Sequence, residues 1–155
     1  DIDLSTPLEE FRLFMPFLQS HDIVIGTRKN IKGNILEHQP WIREALGKGF
    51  TFLSQVMLQV WLSDFTCGFK CFSTQAAKKI FPLLRIDRWG FDSEILFLAK
   101  KFGFSVKEVI VRWKNDRLTR VKFPQDIIRS FSDLLTIRLN DWSGLYKQQM
   151  PPSQG

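Results

Sequence analysis

The chain has 155 residues, of which 44% are hydrophobic, and this combination is typical of one folded domain. Its 22 Lys and Arg residues exceed its 16 Asp and Glu residues, and the net charge of +6 favours an anionic partner. The two cysteines are spaced C-x3-C and the only histidines are His21 and His38, far from them in sequence, so no zinc-binding pattern is present. No apolar run approaches the length that spans a bilayer. We expect Cys67 and Cys71 to be free thiols.

The first residues combine two carboxylates with the signals of a helix start. Asp1 and Asp3 are separated by one apolar residue, so on an extended segment they face the same side and can converge on a hard cation. The pattern that follows predicts a helix over residues 7–19, with Thr6 as its N-cap and Glu9 completing a capping box. Because D-x-D is a weak motif on its own, two solvated acids at a terminus remain the alternative.

Apolar periodicity predicts the elements that follow. The run over residues 22–26 reads as a buried strand, which delivers Arg28 to the sheet edge where open α/β sheets bind ligands. The other predicted elements are a loop over 29–38, a helix over 40–62 with a possible break at Gly47 and Gly49, a strand over 68–72, a short helix capped by Ser73, a helix over 93–102 capped by Asp92 and ended by Gly103, a strand over 106–113, a basic loop over 114–123 and a helix over 124–139.

The last predicted helix carries an apolar stripe beside Arg129 and Arg138. Such a stripe either packs on its own domain or lies in a membrane interface, where the basic residues meet anionic lipid. Residues 150–155 contain Pro and Ser, and we expect them to be disordered.

Seven blocks follow one another along the chain. They are D-I-D-L-S-T-P, I-G-T-R, P-W-I-R, S-D-F-T-C-G-F-K, R-W-G-F-D-S-E, E-V-I-V-R-W and the basic loop. Each block is a weak signal alone. In this order and spacing, from Asp1 to about Arg138, they closely resemble the second half of the family-2 inverting glycosyltransferases that make polyprenyl- or dolichyl-phosphate hexoses. The C-G-F-K and W-G-F-D-x-E blocks look slightly more like the glucosyl-transferring branch than the mannosyl one.

The resemblance implies an α/β protein with a partial GT-A (Rossmann-like) glycosyltransferase fold, in which a mixed sheet is flanked by helices. Residues 1–140 would form the C-terminal half of the catalytic domain, and residues 141–155 a polar tail that we expect to be disordered. The family's N-terminal nucleotide-binding half is missing from this sequence. We therefore expect the chain alone to be inactive.

The resemblance also implies roles for particular residues. Asp1 and Asp3 match the pair that holds Mg²⁺ or Mn²⁺ against the diphosphate of a nucleotide sugar. Arg28 and Arg43 match basic residues that bind the phosphate of the lipid acceptor. Asp64 stands where the family has an aspartate that orients or deprotonates the acceptor. A phosphate monoester is already mostly ionised at neutral pH, so positioning should matter more than base strength.

Five further residues fall in the family's blocks. Arg120 and Lys122 match a mobile basic loop that closes over the donor diphosphate. Lys70, Asp92 and Glu94 are placed near the acceptor side. Structural alternatives remain open, since Asp92 can simply cap a helix and an aspartate in a turn, such as Asp64, can simply satisfy backbone amides.

The function that the resemblance implies is metal-dependent, inverting transfer of a hexose from a nucleoside diphosphate sugar to polyprenyl or dolichyl phosphate. A UDP-sugar is favoured as donor, and a GDP-sugar is possible. We expect a peripheral protein on the cytoplasmic face of a membrane, with no transmembrane segment in this chain and no nucleic-acid partner. The alternatives are a transferase of the same fold with a glycan or protein acceptor, and a non-catalytic basic module that binds membranes or nucleic acid.

Overall fold

A computed structural model of the chain describes residues 5–28, 41–87, 90–113 and 125–147. Residues 41–44 and 125–127 are described by their backbone alone. Asp1, Asp3, the two predicted loops over 29–38 and 114–123, and the predicted tail over 150–155 lie outside these ranges.

The described strands form one three-stranded mixed sheet. Its strands are β1 (Ile23–Thr27), β2 (Lys70–Phe72) and β3 (Val106–Ile110), in the order β2-β1-β3. β1 pairs with β2 in antiparallel register and with β3 in parallel register. The helices are α1 (Trp41–Leu58), α2 (Thr74–Ile80), α3 (Phe91–Lys101) and α4 (Gln125–Trp142). The expected α/β architecture, a mixed sheet with flanking helices, is confirmed.

β1 is the central strand, and its residues are buried on both faces of the sheet. Because successive side chains point to opposite faces, Ile23 and Ile25 enter one hydrophobic cluster while Val24 enters another. The larger cluster receives buried side chains from all four described helices, among them Leu58 of α1, Ile80 of α2, Leu96 of α3 and Leu134 of α4. The smaller cluster joins Val24 to Phe14, Cys67 and Val111. The alternation along β1 thus distributes the described core over both faces of the sheet.

Gly26 allows the chain around Cys67 to lie directly against β1. The Gly26 amide donates a hydrogen bond to the Phe69 carbonyl at 2.7 Å. A Cβ at Gly26 would come within 2.9 Å of Val111 Cγ2 and 3.1 Å of Cys67 Sγ, which is closer than ordinary packing permits. The absence of a side chain here is therefore what brings the segment after Asp64 close to the end of β1.

The predicted helix over residues 7–19 is wrong, as is its capping box. The segment forms two short 3₁₀ helices, Leu8–Leu13 and Met15–Phe17; Pro7 occupies the first N-cap, without a side-chain cap hydrogen bond. Pro16 cannot donate a backbone hydrogen bond and its ring crowds the preceding turn, which disfavours one continuous α-helix. Two tertiary contacts also hold the segment, since Phe14 is buried in the smaller cluster and Glu10 pairs with Arg112 at 2.6 Å.

The helix termini are partly as predicted. Ser73 caps α2, because its hydroxyl accepts a hydrogen bond from the Ala76 amide at 3.1 Å. Gly103 follows α3 with a φ of +73°, so its predicted role in ending that helix is confirmed. The prediction that Asp92 caps α3 is wrong, because Gly90 is the N-cap and Asp92 lies within the first turn.

α1 runs without a break through Gly47 and Gly49, contrary to the predicted interruption. It ends at Leu58 rather than near residue 62, because the next residue, Gln59, adopts a φ of +54° and leaves the helical conformation. β3 ends at Ile110 rather than at residue 113, and α4 continues to Trp142 beyond its predicted end.

Cys67 and Cys71 are both free thiols, as expected. Burial raises the pKa of the Cys67 thiol above its ordinary value, and the nearby positive charge of Arg28 offsets part of that effect. Cys67 is therefore a neutral, buried member of the smaller hydrophobic cluster.

Candidate acceptor-phosphate site

The candidate site lies at the carboxyl end of β1. Thr27 is the last residue of this buried strand, and Arg28 follows it directly. Since β1 and β3 are parallel, their carboxyl ends meet at the same edge, with Thr27 opposite Ile110. The segment from Ser63 to Lys70 returns to the same edge before it enters β2, which runs antiparallel to β1.

Arg28 and Asp64 form a bidentate ion pair at this edge. The Arg28 Nε donates to Asp64 Oδ2 at 2.8 Å, and Nη2 donates to Asp64 Oδ1 at 2.8 Å. The backbone amide of Arg28 also donates to Oδ2, at 3.2 Å. Thr66 completes the arrangement, because its hydroxyl accepts from Nη2 at 2.7 Å and its amide donates to Oδ1 at 3.1 Å. The structure thus brings together two residues that the sequence assigned separately to the acceptor.

The two side chains of this ion pair differ in their exposure to solvent. The Asp64 side chain is 1% exposed, whereas that of Arg28 is 27% exposed. Burial disfavours the charged guanidinium, but the hydrogen bonds and charge of Asp64 outweigh this effect and raise the pKa of Arg28 above its ordinary value. Arg28 is therefore a permanent cation that keeps a partly open surface.

The described neighbours of Arg28 engage one face and one edge of its guanidinium. The ring of Trp113 covers a face, with 5.4 Å between the ring centroid and Cζ. Nε and Nη2 are used by Asp64 and Thr66, and no described residue accepts a hydrogen bond from Nη1. Asp64 and Thr66 thus hold the guanidinium in one orientation and occupy its fork, and Nη1 is the nitrogen whose N–H groups remain to donate to an oxyanion.

Glu108 is a member of this site to which the sequence patterns assigned no role. Its Oε1 accepts hydrogen bonds from the Ser63 amide at 2.8 Å, the Ser63 hydroxyl at 2.7 Å and the Asp64 amide at 3.3 Å. The sequence signals were its place in a predicted strand and at the start of the E-V-I-V-R-W block, and neither indicated a partner. The contact itself could not be inferred, because Ser63 and Glu108 are separated by 45 positions.

Lys70 and Asp92 form a second ion pair, with 2.7 Å between Nζ and Oδ1. The Lys70 side chain is only 4% exposed, and Nζ also donates to the Cys67 carbonyl. The negative charge of Asp92 contributes to the raised pKa of Arg28, so the two ion pairs influence one another electrostatically. Asp92 therefore forms an ion pair with Lys70 and does not cap α3.

Glu94 has the contacts of a structural carboxylate. It is fully buried and accepts hydrogen bonds from the Arg85 amide at 3.0 Å, the Ile86 amide at 2.9 Å and the Tyr146 hydroxyl. Burial and the hydrogen bond to Glu94 both raise the pKa of Tyr146 well above its ordinary value. The placement of Glu94 near the acceptor stays a prediction. Its described partners lie in the segment before α3, at Arg85 and Ile86, and just after α4, at Tyr146.

Five predicted site residues cannot be placed. Asp1, Asp3, Arg120 and Lys122 lie outside the described ranges, and Arg43 is described only as a backbone position near the start of α1. Within the described ranges, no group of three or more His, Cys, Asp or Glu side chains is arranged to hold a metal ion. The metal-binding role of Asp1 and Asp3 therefore stays a prediction.

Comparison with known proteins identifies relatives of the chain. It is 31% identical over 153 residues to a dolichyl-phosphate beta-glucosyltransferase of Dictyostelium discoideum, an alignment that covers 95% of the chain and 47% of that relative. It is 29% identical over 132 residues to the Homo sapiens dolichyl-phosphate beta-glucosyltransferase. That alignment covers 85% of the chain and 41% of the relative. The corresponding enzyme of Saccharomyces cerevisiae is 31% identical over 126 residues, covering 81% and 38%.

No protein-family model matches the chain. The chain spans less than half the length of these relatives, while each alignment covers at least four-fifths of the chain. The same name recurs among relatives from a slime mould, a human and a yeast. The chain therefore belongs to the family of dolichyl-phosphate hexose glycosyltransferases.

Proposed function

We propose that this chain supplies the acceptor side of an enzyme that transfers a hexose, with inversion, from a nucleoside diphosphate sugar to dolichyl or polyprenyl phosphate. Glucose is the favoured sugar, because the relatives are named beta-glucosyltransferases. A UDP-sugar is the favoured donor and a GDP-sugar the second choice. The proposal takes the acceptor from the relatives' names and the position of its phosphate from the geometry of Arg28.

The observation that carries the proposal is the orientation of the Arg28 guanidinium. Asp64 and Thr66 hold Nε and Nη2, and Trp113 covers one face, so Nη1 is the nitrogen proposed to donate to a phosphate oxygen. Because these contacts fix the side chain before the ligand arrives, little rotamer entropy is lost on binding. Asp64 is engaged with Arg28 through both carboxylate oxygens, which favours a positioning role for Asp64 over a role as a base.

The donor side of the proposal concerns residues that the structure does not describe. Asp1 and Asp3 are proposed to hold Mg²⁺ or Mn²⁺, which would neutralise charge on the leaving diphosphate. Arg120 and Lys122 are proposed to contact the same diphosphate, and Arg43 to contact the acceptor phosphate beside Arg28. Carboxylate oxygens are the ligands that hard divalent cations prefer, so the residue types fit the proposed ion.

We further propose that the outer face of α4 rests on a membrane surface. Exposed apolar residues recur along this helix and just after it, at Ile128, Leu135, Leu139, Trp142 and Leu145. The guanidinium of Arg138 lies 5.4 Å from the centroid of the Trp142 ring, so a cation accompanies the exposed aromatic residue. Apolar side chains beside basic ones are typical of helices that lie in the headgroup region. None of the helices in the described ranges has the length and apolar character to cross a bilayer.

Replacing Arg28 with Ala should lower binding of the acceptor phosphate by about 10-fold or more, because a charge-assisted hydrogen bond is lost. The measurement is co-sedimentation with phosphatidylcholine vesicles, with and without dolichyl phosphate, and the phosphate-dependent increment is the quantity compared. Arg12→Ala is the matched control, because Arg12 is an exposed arginine and its loss changes the net charge equally. An unchanged increment in Arg28→Ala would contradict the assignment.

The transfer step is measured in a hybrid that carries this chain in place of the matching part of the yeast relative. The hybrid should transfer glucose from UDP-glucose to dolichyl phosphate when Mg²⁺ or Mn²⁺ is present, and the Arg28→Ala hybrid should be at least 10-fold slower. A well-folded hybrid that glycosylates a glycan or peptide but no lipid phosphate would overturn the proposed acceptor.

Replacing Trp142 with Ala should weaken binding to both kinds of vesicle by about 10-fold, since the side chain is 68% exposed and would be buried in the headgroup region. Leu8→Ala is the control, because Leu8 is equally exposed but belongs to the segment that packs on the other sheet face. Equal losses in the two variants would indicate non-specific adsorption instead of docking through α4.

A further inference from the structure

We propose that Glu108 is a positioning residue for the Arg28–Asp64 pair. It lies on β3 opposite Ile25, one strand away from Arg28, and its contacts are with the chain that leads into Asp64. The inference deepens the proposed function, because it rests on Arg28 being the residue that meets the acceptor phosphate.

The contacts of Glu108 fix the backbone just before and at Asp64. Oε1 accepts hydrogen bonds from the Ser63 amide, the Ser63 hydroxyl and the Asp64 amide, at 2.8, 2.7 and 3.3 Å. The Ser63 hydroxyl also shares a hydrogen bond with the Thr27 hydroxyl at 2.8 Å. Ser63 is thereby tied to β1 and β3 together, and Asp64 cannot shift relative to the sheet edge without breaking these bonds.

The position of Asp64 in turn sets the orientation of Arg28. The bidentate contact requires both carboxylate oxygens to lie 2.8 Å from the guanidinium nitrogens. Parallel N–H···O bonds are sensitive to angle, so a displacement of about 1 Å at Asp64 would break one of them. The free end of the guanidinium would then lose its fixed direction. Glu108 therefore acts on the phosphate through two intermediaries and touches no substrate itself.

The donors around Glu108 make it possible to test whether Glu108 acts by accepting hydrogen bonds or through its negative charge. The donors that reach Oε1 are two amides and a hydroxyl, all of them neutral. An amide oxygen accepts hydrogen bonds as a carboxylate oxygen does, so a glutamine can occupy the same place. Rescue by glutamine is thus the signature of a positioning role, whereas a role of the negative charge would be lost in both alanine and glutamine variants.

The experiment uses the full 155-residue chain and two readouts. The first is the NMR resonance of the Arg28 Nε–H group, identified by its disappearance in Arg28→Lys. The second is the dolichyl-phosphate-dependent increment in vesicle binding. Glu108→Ala should shift or broaden the Nε–H signal and lower the increment by about 5- to 10-fold, while Glu108→Gln stays within about 2-fold of the unaltered chain. Lys107→Ala, on the opposite face of the same strand with Nζ over the Phe17 ring, is the control.

Two results would overturn the inference: an unchanged Arg28 Nε–H signal in folded Glu108→Ala, or a glutamine variant as defective as the alanine variant. If Glu108→Ala does not fold, Ser63→Ala replaces it, since it removes the hydroxyl that bridges Glu108 and Thr27. A partial shift of the Nε–H signal in Ser63→Ala supports the inference, and an unchanged signal overturns it. The Nε–H signal decides the question even if the unaltered chain shows no phosphate-dependent binding, which would count against the proposed function alone.

Discussion

Replacing Glu94 with Ala should lower the free energy of unfolding by about 4 kcal/mol, because several buried donors lose their acceptor together. The Arg85 and Ile86 amides and the Tyr146 hydroxyl all donate to this carboxylate. An unsatisfied buried donor costs about 1–3 kcal/mol, and the cavity left by the side chain adds to the loss. Urea unfolding followed by circular dichroism measures the change.

Graded variants keep this prediction testable if the alanine variant does not fold. Tyr146→Phe removes one donor and should cost about 2 kcal/mol, and Glu9→Ala, an exposed carboxylate in a 3₁₀ helix, should stay within about 0.5 kcal/mol. The same series separates the structural reading of Glu94 from an acceptor role. A Glu94→Gln variant of normal stability that has lost phosphate-dependent vesicle binding would place Glu94 at the acceptor after all.

Replacing Asp64 with Ala should cost about 3 kcal/mol in unfolding free energy, since Arg28 would keep its charge without its partner. The estimate sits at the low end for a broken buried ion pair because Arg28 retains access to solvent. Phosphate-dependent vesicle binding should fall with it, because the guanidinium loses its orientation. Both quantities are measured on the same protein samples.

A double-mutant cycle isolates the interaction between the two side chains. The Arg28→Ala and Asp64→Ala changes together should cost at least about 1 kcal/mol less than the sum of the single changes, since the interaction between the two side chains can be lost only once. Strictly additive losses would mean that the pair contributes nothing as a pair, and Asp64 would then need another explanation for its burial.

The sequence predicted those parts of the fold that depend on local pattern. The apolar, β-branched run that became β1 placed Arg28 correctly at a strand end, and Gly103 ended α3 as expected. The same reasoning failed for the segment after Thr6. There, Glu10 reaches Arg112, a residue 102 positions away, and this contact together with Pro16 outweighs the helical pattern.

The candidate site was predicted as a set of residues and not as an arrangement. Arg28 and Asp64 were both chosen through the resemblance, but their pairing joins residues 36 positions apart, which no motif spacing encodes. Asp92 shows the same limit, since its place just before the predicted helix over 93–102 suggested a cap, whereas its actual partner, Lys70, comes from β2. The sequence pattern indicates which residues belong to a site. Their hydrogen-bond and ion-pair partners depend on which distant segments the fold brings together at the sheet edge.

Ion pairing at the sheet edge changes what the chain's excess of positive charge means for an approaching ligand. Among the described residues at the sheet edge, Arg28 and Lys70 are each matched by a carboxylate within 2.8 Å, so these two ion pairs add no net charge, whereas the whole chain carries +6. Long-range attraction to an anionic surface then comes from basic residues elsewhere and is weakened by dissolved salt, whereas recognition at Arg28 depends on the direction of N–H groups over a few ångströms. Raising the salt concentration should therefore weaken association with the membrane surface more than it weakens binding of the phosphate at Arg28.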